Sequence, residues 1–404
     1  MSGEILTPKT EEEAAAIVAS SITAGRRLRL SGTGTKSSGF AGESSALSSL
    51  GLTGILSYNP AELVITARAG TPMTEINAAL NEHNQMLAFE PGNWGVALGA
   101  PGTQTIGGIA ATNQSGSRRF VSGAARDSLL GVRFVNGKGE IIKNGGRVMK
   151  NVTGLDLVKL LAGSWGTLGF LTEVSFKVLP RPVMEKTLAV QFSDDTAGTQ
   201  LLASAMATSA DVTGAAHLPA KAVKVLAEAK LDEKPTSLLR FEGFEASIDE
   251  RIKRVKPYLS TQSGLSVIAH EHSRRLWADM NDLALFSGTA DRHLWKLSLP
   301  PSKGIETALA LSENSETNWF ADWQGGLVWV ECAPEQSGVQ SLAAQSGAHA
   351  TLMRKASGTG GQSAMFQPLP PAAAALSEAV RSSLDPHNVF LSPMNFASSN
   401  ALAA

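Results

Sequence analysis

The sequence predicts an α+β protein with two domains and a closing segment, and three features of the chain support this prediction. A length of 404 residues is enough for two or three domains that each bury a core. Glycine is concentrated early, since residues 1–182 hold 26 of the 39 glycines. Pro180-Arg181-Pro182 marks a linker, and strand-like and helix-like segments alternate after it. We therefore expect domains at 1–182 and 183–370 and a C-terminal segment at 371–404.

The composition is that of an ordinary globular protein, with 43% hydrophobic and 18% charged residues. A net charge of −1 provides no broad basic field for nucleic acid or anionic lipid. No apolar run approaches the roughly 18–20 residues of a membrane span, and the acidic start MSGEILTPKTEEE lacks the apolar stretch of a signal peptide. We expect a cytoplasmic protein, free or docked on a partner. The one cysteine, Cys332, is expected in the core, and it cannot hold an iron–sulfur cluster, which needs about four thiolates.

The first elements lead into a loop that suits an anion. Thr10 and Glu13 match a capping box, which predicts a helix that ends at Gly25. A short strand, Leu28 to Leu30, then runs into Ser31-Gly32-Thr33-Gly34-Thr35-Lys36. A strand followed by a tight loop of small residues exposes consecutive backbone N–H groups, which bind anions such as pyrophosphate. A plain turn is the alternative, because many loops of this composition bind nothing.

A strand, a helix and a glycine-rich run follow. Leu63 to Ala69 predicts a strand, and Thr71 is expected to cap a helix that opens at Pro72. A loop is predicted at residues 90–93. The run GAPGTQTIGGIAATNQSG at 99–116 is almost free of large side chains, so it suits backbone wrapped around a flat or phosphorylated ligand. A disordered linker is the alternative.

The rest of the first domain predicts a hairpin, a short helix, a second loop and a strand. Ser128–Val135 and Glu140–Lys143 are strands joined by the Asn136-Gly137 turn. Thr153 and Asp156 match a capping box for a helix through Leu161. Small residues fill a loop at Gly163–Gly169, and apolar alternation at 174–178 predicts a half-buried strand.

The second half predicts an antiparallel sheet backed by helices, as in a ferredoxin-like layer. A helix near Ser247 carries a capping box with Glu250 and an i,i+4 pair with Arg254. The predicted strands are Thr187–Phe192, Leu238–Phe244, His293–Leu299, Leu327–Cys332 and Ala350–Arg354.

Five motifs in order resemble the FAD-binding domain of the PCMH/vanillyl-alcohol-oxidase superfamily. They are Ser31–Thr35, Pro91-Gly92, Thr105–Gly108 with Ala111–Asn113, Gly123–Asp127, and Gly163–Gly169 with Thr172. The segment Gly146–Leu157 and the tail Leu384–Phe390 further resemble the E-subunit family of bacterial glycolate oxidase, although Leu155 stands where tyrosine is expected. The resemblance implies a PCMH-type two-subdomain FAD-binding domain, a ferredoxin-like cap domain, and a tail that returns to the flavin domain.

The resemblance also implies FAD as cofactor and assigns residues to it. The Ser31–Thr35 loop should bind the pyrophosphate, with Arg126 or Lys36 within reach of it. No histidine follows the Gly32–Gly34 loop, where relatives with covalent flavin carry one, so non-covalent FAD is expected. The implied cofactor-binding residues are Ser31, Gly32, Thr33, Gly34, Thr35, Pro91, Gly92, Thr105, Gly107, Gly108, Thr112, Asn113, Gly163, Gly166, Thr167, Gly169 and Thr172.

Candidates for catalysis are few. Oxidation of a 2-hydroxy acid needs a base, usually histidine, and cations or a metal to hold the carboxylate. The His/Asp/Asn/His cluster of the catalytic large subunits of this group is not found, and no metal is expected. If His270-Glu271-His272 is a strand, its two histidines lie on one face and form a pair of metal ligands. The alternative is the solvent-exposed start of a helix before Arg274. The weak catalytic candidates are His387, expected nearest the cofactor, His270 and Arg274; Arg275, Arg292 and Arg354 could also bind a carboxylate.

Three functions follow from the resemblance. The first is an FAD-binding subunit of a glycolate oxidase complex, which relays electrons between a catalytic flavoprotein and an iron–sulfur subunit and reaches the inner membrane through these partners. The second is a self-sufficient 2-hydroxy-acid (D-lactate-like) dehydrogenase, and the third is a non-catalytic structural subunit. The single cysteine and the absent histidine cluster favour the first over the second, and the intact loops favour it over the third. Five tryptophans after residue 270 are expected mostly in the core, with an exposed partner surface as the alternative.

Overall fold

Two antiparallel sheets organise the fold, one in each half of the chain. The computed structural model describes residues 4–36, 45–146, 154–227, 231–259, 264–313, 315–336, 338–358 and 364–393. Helices and strands occur in both halves, which confirms the α+β prediction. None of the helices in these ranges has the length and apolar character needed to cross a membrane.

The N-terminal lobe contains a five-stranded sheet, a small parallel sheet and a two-stranded ribbon. The strand orders are β4-β5-β9-β7-β8, β1-β3-β2 and β10-β6. The strands are β1 (Ile5–Leu6), β2 (Leu28–Ser31), β3 (Ser45–Ser48), β4 (Ile55–Asn59), β5 (Val64–Arg68), β6 (Gln85–Met86), β7 (Leu129–Val135), β8 (Ile141–Gly145), β9 (Phe170–Lys177) and β10 (Leu179–Pro180). The helices are α1 (Glu11–Thr23), α2 (Met73–Asn81), α3 (Ile106–Thr112), α4 (Arg119–Ser122), α5 (Ala125–Ser128) and α6 (Leu157–Leu161).

Three helix starts in this lobe test the predicted caps. Thr10 accepts from the Glu13 N–H at the start of α1, as predicted, whereas the Glu13 carboxylate accepts from Lys9 N. The predicted Thr71 cap of α2 is wrong, because Pro72 takes that position and the Thr71 hydroxyl donates to Arg68 O instead. Helix α6 begins at Leu157 with Asp156 as its N-cap, and the predicted cap Thr153 lies outside the described residues.

Strand β9 differs from the prediction of a half-buried strand. It lies between β5 and β7 in the centre of the sheet, and Ser175 is buried together with Val174 and Phe176. The Ser175 hydroxyl shares a hydrogen bond of 2.8 Å with the Thr66 hydroxyl on β5. A buried hydroxyl with a partner is tolerated in a core, so polar alternation did not indicate exposure at this position.

The C-terminal lobe is one eight-stranded antiparallel sheet in the order β14-β11-β13-β12-β16-β17-β15-β18. All five predicted strands are present, and the three that the pattern missed are β12, β14 and β16. The strands are β11 (Met184–Gln191), β12 (Gly214–Leu218), β13 (Thr236–Gly243), β14 (Leu265–Ile268), β15 (His293–Ser298), β16 (Asn318–Asp322), β17 (Leu327–Cys332) and β18 (His349–Arg354). The helices are α7 (Ala197–Met206), α8 (Ala220–Leu226), α9 (Glu245–Val255), α10 (His270–Asn281), α11 (Gly304–Ser312) and α12 (Val339–Gln345). Helix α13 (Pro371–Leu384) follows this sheet in the chain but packs Val380 and Leu384 against the core of the N-terminal lobe.

Two local predictions in this half are wrong, and two about its core are confirmed. Ser247 lies inside α9, which begins at Glu245, and Glu250 pairs with Lys253 rather than Arg254. Cys332 is buried, and burial raises the pKa of its thiol to about 11. The five tryptophans of this half are all buried, which excludes them as an exposed partner surface: Trp277, Trp295, Trp319, Trp323 and Trp329.

The tail of the chain adds backbone bonds to β2. The Leu28 N–H donates to Val389 O at 2.7 Å, and the Leu391 N–H donates to Leu28 O at 2.9 Å. The Asp385 carboxylate accepts from the N–H groups of Val389 and Phe390, at 2.9 Å each. Val389 and Phe390 are buried in the small core that also holds Leu28. Residues 389–391 therefore act as a neighbour to the strand that leads into the Ser31–Lys36 loop.

The two lobes meet at a polar boundary that includes a buried arginine. Arg240 on β13 is 1% exposed and contacts both oxygens of Glu90 from the N-terminal lobe, at 3.1 and 2.9 Å. Burial alone would lower the pKa of Arg240, but the charges of Glu90 and Glu242 raise it overall. Nearby, the Asn281 side-chain oxygen accepts from both the N–H and the hydroxyl of Ser117. The ion pair thus holds Glu90 and the following loop against the C-terminal sheet.

The substitution Arg240→Ala should destabilise the protein by about 3–5 kcal/mol, because it leaves the Glu90 carboxylate without its buried counter-charge. Urea unfolding at pH 7 measures this change. Lys303→Ala, in an exposed pair with Glu306, is the matched control and should have little effect, since water screens that pair. Arg240→Met combined with Glu90→Gln should cost less than the two single changes together. A strictly additive double variant would show that the pair does not couple the lobes.

Candidate functional site

A cleft in the N-terminal lobe brings together three small-residue segments. It encloses about 750 Å³ when its open mouth is included. The segments are the loop after β2, the start of α3, and the loop before β9. The lining residues are Leu30, Ser31, Gly32, Thr33, Gly34, Thr35, Lys36, Ser49, Ala69, Gln104, Thr105, Gly107, Gly108, Ala111, Thr112, Trp165, Gly166, Gly169, Phe170 and Leu171.

Part of the Gly-rich run at 99–116 forms the short helix α3 instead of extended backbone around a ligand. Thr105 caps α3, since its hydroxyl accepts from the Gly108 N–H at 3.2 Å. Gly107 lies so close to β5 that an added Cβ would stand 2.6 Å from the Cβ of Ala69. A Cβ on Gly32 would likewise stand 2.5 Å from the Thr105 hydroxyl oxygen. Glycine is therefore required at 32 and 107 for the walls of the cleft to approach each other.

The cleft presents polar groups that have no protein partner. Within the described residues, the backbone N–H groups of Thr33 and Thr35 donate to no acceptor. The Gln104 amide donates to Gly92 O at 2.6 Å, while its side-chain oxygen is buried without a partner. Backbone donors in a loop of small residues suit phosphate oxygens. These residues fit a dinucleotide such as FAD.

Eleven of the seventeen predicted cofactor residues line the cleft. They are Ser31, Gly32, Thr33, Gly34, Thr35, Thr105, Gly107, Gly108, Thr112, Gly166 and Gly169. Of the two cations considered for the phosphates, Lys36 lines the cleft, whereas Arg126 is exposed and does not. The loop order in the sequence was therefore a good guide to the walls.

The other six predicted residues lie outside the lining. Pro91 and Gly92 belong to the lobe boundary, where a Cβ on Gly92 would stand 1.8 Å from Asn281 O. Asn113 ends α3 in the left-handed region and accepts from Arg126 N, and Gly163 donates to Ala110 O. The Thr167 hydroxyl closes its own turn onto Ser164 O, and that of Thr172 donates to Glu11. Their contacts shape the surrounding backbone.

One bulky cleft residue has a strained backbone. Trp165 has φ of +54°, a region that costs a large side chain about 1–3 kcal/mol. Its N–H donates to Ala111 O at 2.8 Å, and its ring meets Phe366 edge-on at 5.3 Å. These contacts hold the indole at the cleft wall, where it adjoins the core of the C-terminal lobe.

The structure does not bring the catalytic candidates to the cleft. His387 is exposed in the turn after Asp385, because burial of Val389 and Phe390 leaves residues 386–388 facing solvent. His270 is the first residue of helix α10, so the strand on which a metal-binding pair of histidines depended is not formed. The His270 ring nitrogen accepts from the Glu185 N–H. Arg274 is exposed, whereas Arg354 is buried and paired with Glu331. No group of three His, Cys, Asp or Glu side chains in the described ranges is placed to hold a metal.

Sequence reasoning missed a row of cations and indoles beside the cleft. The Lys36 ammonium lies 5.7 Å and the Lys296 ammonium 5.6 Å from the Trp94 ring centre. Lys296 also lies 5.7 Å from the Trp323 ring, over which the Arg119 guanidinium stands at 4.2 Å. We call these five residues the cation–indole ladder. Lys36, Trp94 and Arg119 come from the N-terminal lobe, and Lys296 and Trp323 from the C-terminal lobe, so no sequence spacing connects them.

The cations of the ladder lack counter-charges. Among the described residues none of the three forms an ion pair with a carboxylate, although Asp127 exerts a longer-range pull on Arg119. Burial, with repulsion from Lys296, lowers the pKa of Lys36 to about 7. Burial, with repulsion from Arg119, lowers the pKa of Lys296 to about 8. The site therefore disfavours its own positive charge while nothing else is bound.

Comparison with known proteins finds relatives across most of the chain. A family model described as an FAD binding domain matches residues 4–145. The chain is 33% identical over 346 residues to glycolate oxidase subunit GlcE of Escherichia coli (strain K12). This alignment covers 83% of each chain. It is 31% identical over 166 residues to glycolate oxidase subunit GlcD of Bacillus subtilis (strain 168), which covers 41% of this chain and 32% of that one.

The fold also matches solved structures. The crystal structure of p-cresol methylhydroxylase with substrate bound superposes with a TM-score of 0.71 at 13% identity. The superposition covers 95% of this chain and 87% of that one. This match confirms the predicted PCMH-type fold.

Lys36→Met and Lys296→Met should each stabilise the unliganded protein at pH 6.5, and less so at pH 9. Both lysines have a folded pKa below the ordinary 10.5, so the folded state binds fewer protons between about pH 7 and 10.5. Stability should therefore rise with pH across this window in the parent protein. Buried Asp322 adds little to the change of stability with pH in this window, because its pKa of about 6 lies below it. Urea unfolding at both pH values measures the slope, and a double variant that keeps the parent slope would contradict the assignment.

Proposed function

This chain belongs to the GlcE family of FAD-linked oxidoreductases, and from that premise we propose that it is the FAD-binding subunit of a glycolate oxidase complex. The observation that carries the proposal is the 33% identity over 83% of both chains to the glycolate oxidase subunit. In this proposal the complex oxidises glycolate to glyoxylate. A catalytic flavoprotein subunit and an iron–sulfur subunit are its partners, and any contact with the inner membrane goes through them.

The cleft is the proposed site of FAD. The N–H groups of Thr33 and Thr35 would bind the pyrophosphate, with Lys36 as the nearby cation, and Gly107 and Gly108 would let the dinucleotide lie against backbone. Bound flavin would supply electron transfer, which no side chain of the protein provides. No histidine follows the Gly32–Gly34 loop, so the proposed binding is non-covalent.

Electron relay, rather than independent catalysis, is the proposed role. None of the seven histidines lines the cleft, so it lacks the usual base for removing a hydroxyl proton. Cys332 is the one cysteine and is buried, so an iron–sulfur centre would belong to another chain. A purely structural subunit is disfavoured because the cleft is lined by small residues and, within the described residues, the N–H groups of Thr33 and Thr35 have no protein acceptor.

Gly108→Val should weaken FAD binding by tenfold or more without unfolding the apoprotein. Gly108 lines the cleft, and the one atom within 4 Å of an added Cβ is the Thr105 hydroxyl oxygen, at 3.2 Å. The larger side chain would therefore project into the cofactor space. Quenching of flavin fluorescence during titration measures the affinity, and urea unfolding checks the fold. Gly146→Val is the control, because a Cβ there meets nothing within 4 Å. Equal FAD affinity in both variants would contradict the placement of the cofactor in this cleft.

The chain purified alone should be yellow and should release FAD on denaturation. Anaerobic glycolate should not bleach it, whereas the complex assembled with both partners should be bleached. Absorption spectra before and after addition of glycolate measure this. Bleaching of the isolated chain would instead establish the second function, a self-sufficient 2-hydroxy-acid dehydrogenase. A colourless chain that cannot be reconstituted with FAD would overturn the proposal altogether.

A further inference from the structure

The cation–indole ladder lies where the cleft meets the C-terminal sheet. Lys36 lines the cleft, and Lys296 projects from β15 of the opposite lobe towards the same indole, Trp94. We propose that the ladder is a binding site for a small carboxylate anion within this chain. The choice of a carboxylate over other small anions rests on the proposed function, whereas the existence of an anion site rests on the structure alone.

Charge balance is the first argument for a bound anion. Half-buried cations in proteins are normally paired, because removing a charge from water is expensive unless an opposite charge or hydrogen bonds replace the water. Here Lys36, Lys296 and Arg119 stand over ring faces and pair with no carboxylate in the described part of the chain. A ring face compensates a cation only partly, by about 0.5–2 kcal/mol. An anion between the ladder residues supplies the missing partner.

The second argument is that the indoles are held rigidly and their polar ends are already occupied. The Trp94 ring N–H donates to Asn281 O at 3.0 Å, and the Trp323 ring N–H donates to Gly116 O at 2.9 Å. Both bonds cross between the lobes, and both rings are buried. The rings therefore act as fixed apolar walls, and the donors left for a ligand are the lysine ammonium and arginine guanidinium groups.

The third argument is that the surroundings leave the ladder positive. The charged groups that act on it are the ladder cations themselves and Asp127, which acts on Arg119. The Asp127 carboxylate already accepts from the Ala124 N–H at 2.8 Å. Among the described residues, no carboxylate thus pairs with Lys36 or Lys296, the two residues that face Trp94.

Binding of the anion should be coupled to proton uptake. An anion beside Lys36 and Lys296 offsets the burial and repulsion that lower the pKa of each, so both pKa values rise on binding. At pH 8 the lysines are partly deprotonated in the free protein and take up protons as the anion binds. Affinity should therefore fall as the pH rises from 6.5 to 9.

Acetate and acetamide test the site, because they share a shape and differ in charge. Quenching of tryptophan fluorescence in the FAD-loaded chain should saturate with acetate and not with acetamide. Lys296→Met should weaken acetate binding tenfold or more, and Lys296→Arg should keep it within about threefold. Lys303→Met, an exposed lysine paired with Glu306, is the matched control and should bind as the parent does. Calorimetry at pH 8 in two buffers of different ionisation enthalpy should report net proton uptake.

Several results would overturn the proposal. Acetate binding that survives Lys296→Met would place the anion elsewhere, and an absence of saturable acetate binding would refute the site. Competition by chloride at equal concentration would refute the choice of a carboxylate. FAD content, measured from the spectrum of each preparation, separates a failure of the anion site from a failure of the proposed function. A chain that binds acetate without FAD keeps the anion site and loses the flavin assignment.

Discussion

The ion pair between Arg240 and Glu90 is the interaction on which the arrangement of the two lobes depends. It places a charged side chain that is 1% exposed at the boundary, and its partner begins the loop that carries Trp94. Trp94 then packs in the core of the C-terminal lobe, edge-on to Trp329 at 5.0 Å. Because buried charges tolerate little displacement from their partners, the pair fixes one lobe against the other. The cation–indole ladder exists only in that relative position.

Local chemistry allowed the sequence to predict the elements and the cleft walls, but not the contacts between distant segments. Threonine caps, glycine loops and apolar alternation act over a few residues, so α1, the β7–β8 hairpin and the five strongest strands of the C-terminal sheet were predicted correctly. Eleven cleft residues were predicted from the resemblance to the FAD-binding family, and the small side chains of their loops agree with that prediction. Strand β12 was missed because its sequence, GAAHL, lacks the β-branched residues that mark a strand. The ladder was missed because Lys296 is ordinary in its own strand and meets Trp94 only through the tertiary fold.

The cleft and the ladder divide two tasks that are easily confused. The cleft offers neutral backbone donors and little side-chain bulk, which suits a large ligand held along its length. The ladder offers concentrated positive charge between rigid indoles, which suits a small ligand held at one end. A chain without a histidine in its cleft can therefore still recognise an anion. Recognition and proton removal need not reside in the same subunit of an assembly.

The hydrogen bonds between Leu28 and residues 389–391 have a consequence for how the protein is made. The strand that leads into the Ser31–Lys36 loop leaves the ribosome long before its neighbour, residues 389–391. N-terminal segments generally fold first during translation, but this one must wait for its C-terminal partner. A nascent or prematurely terminated chain would thus display an unsupported cofactor loop. Ligand capture by this loop would therefore have to wait until residues 389–391 have been synthesised and have paired with Leu28.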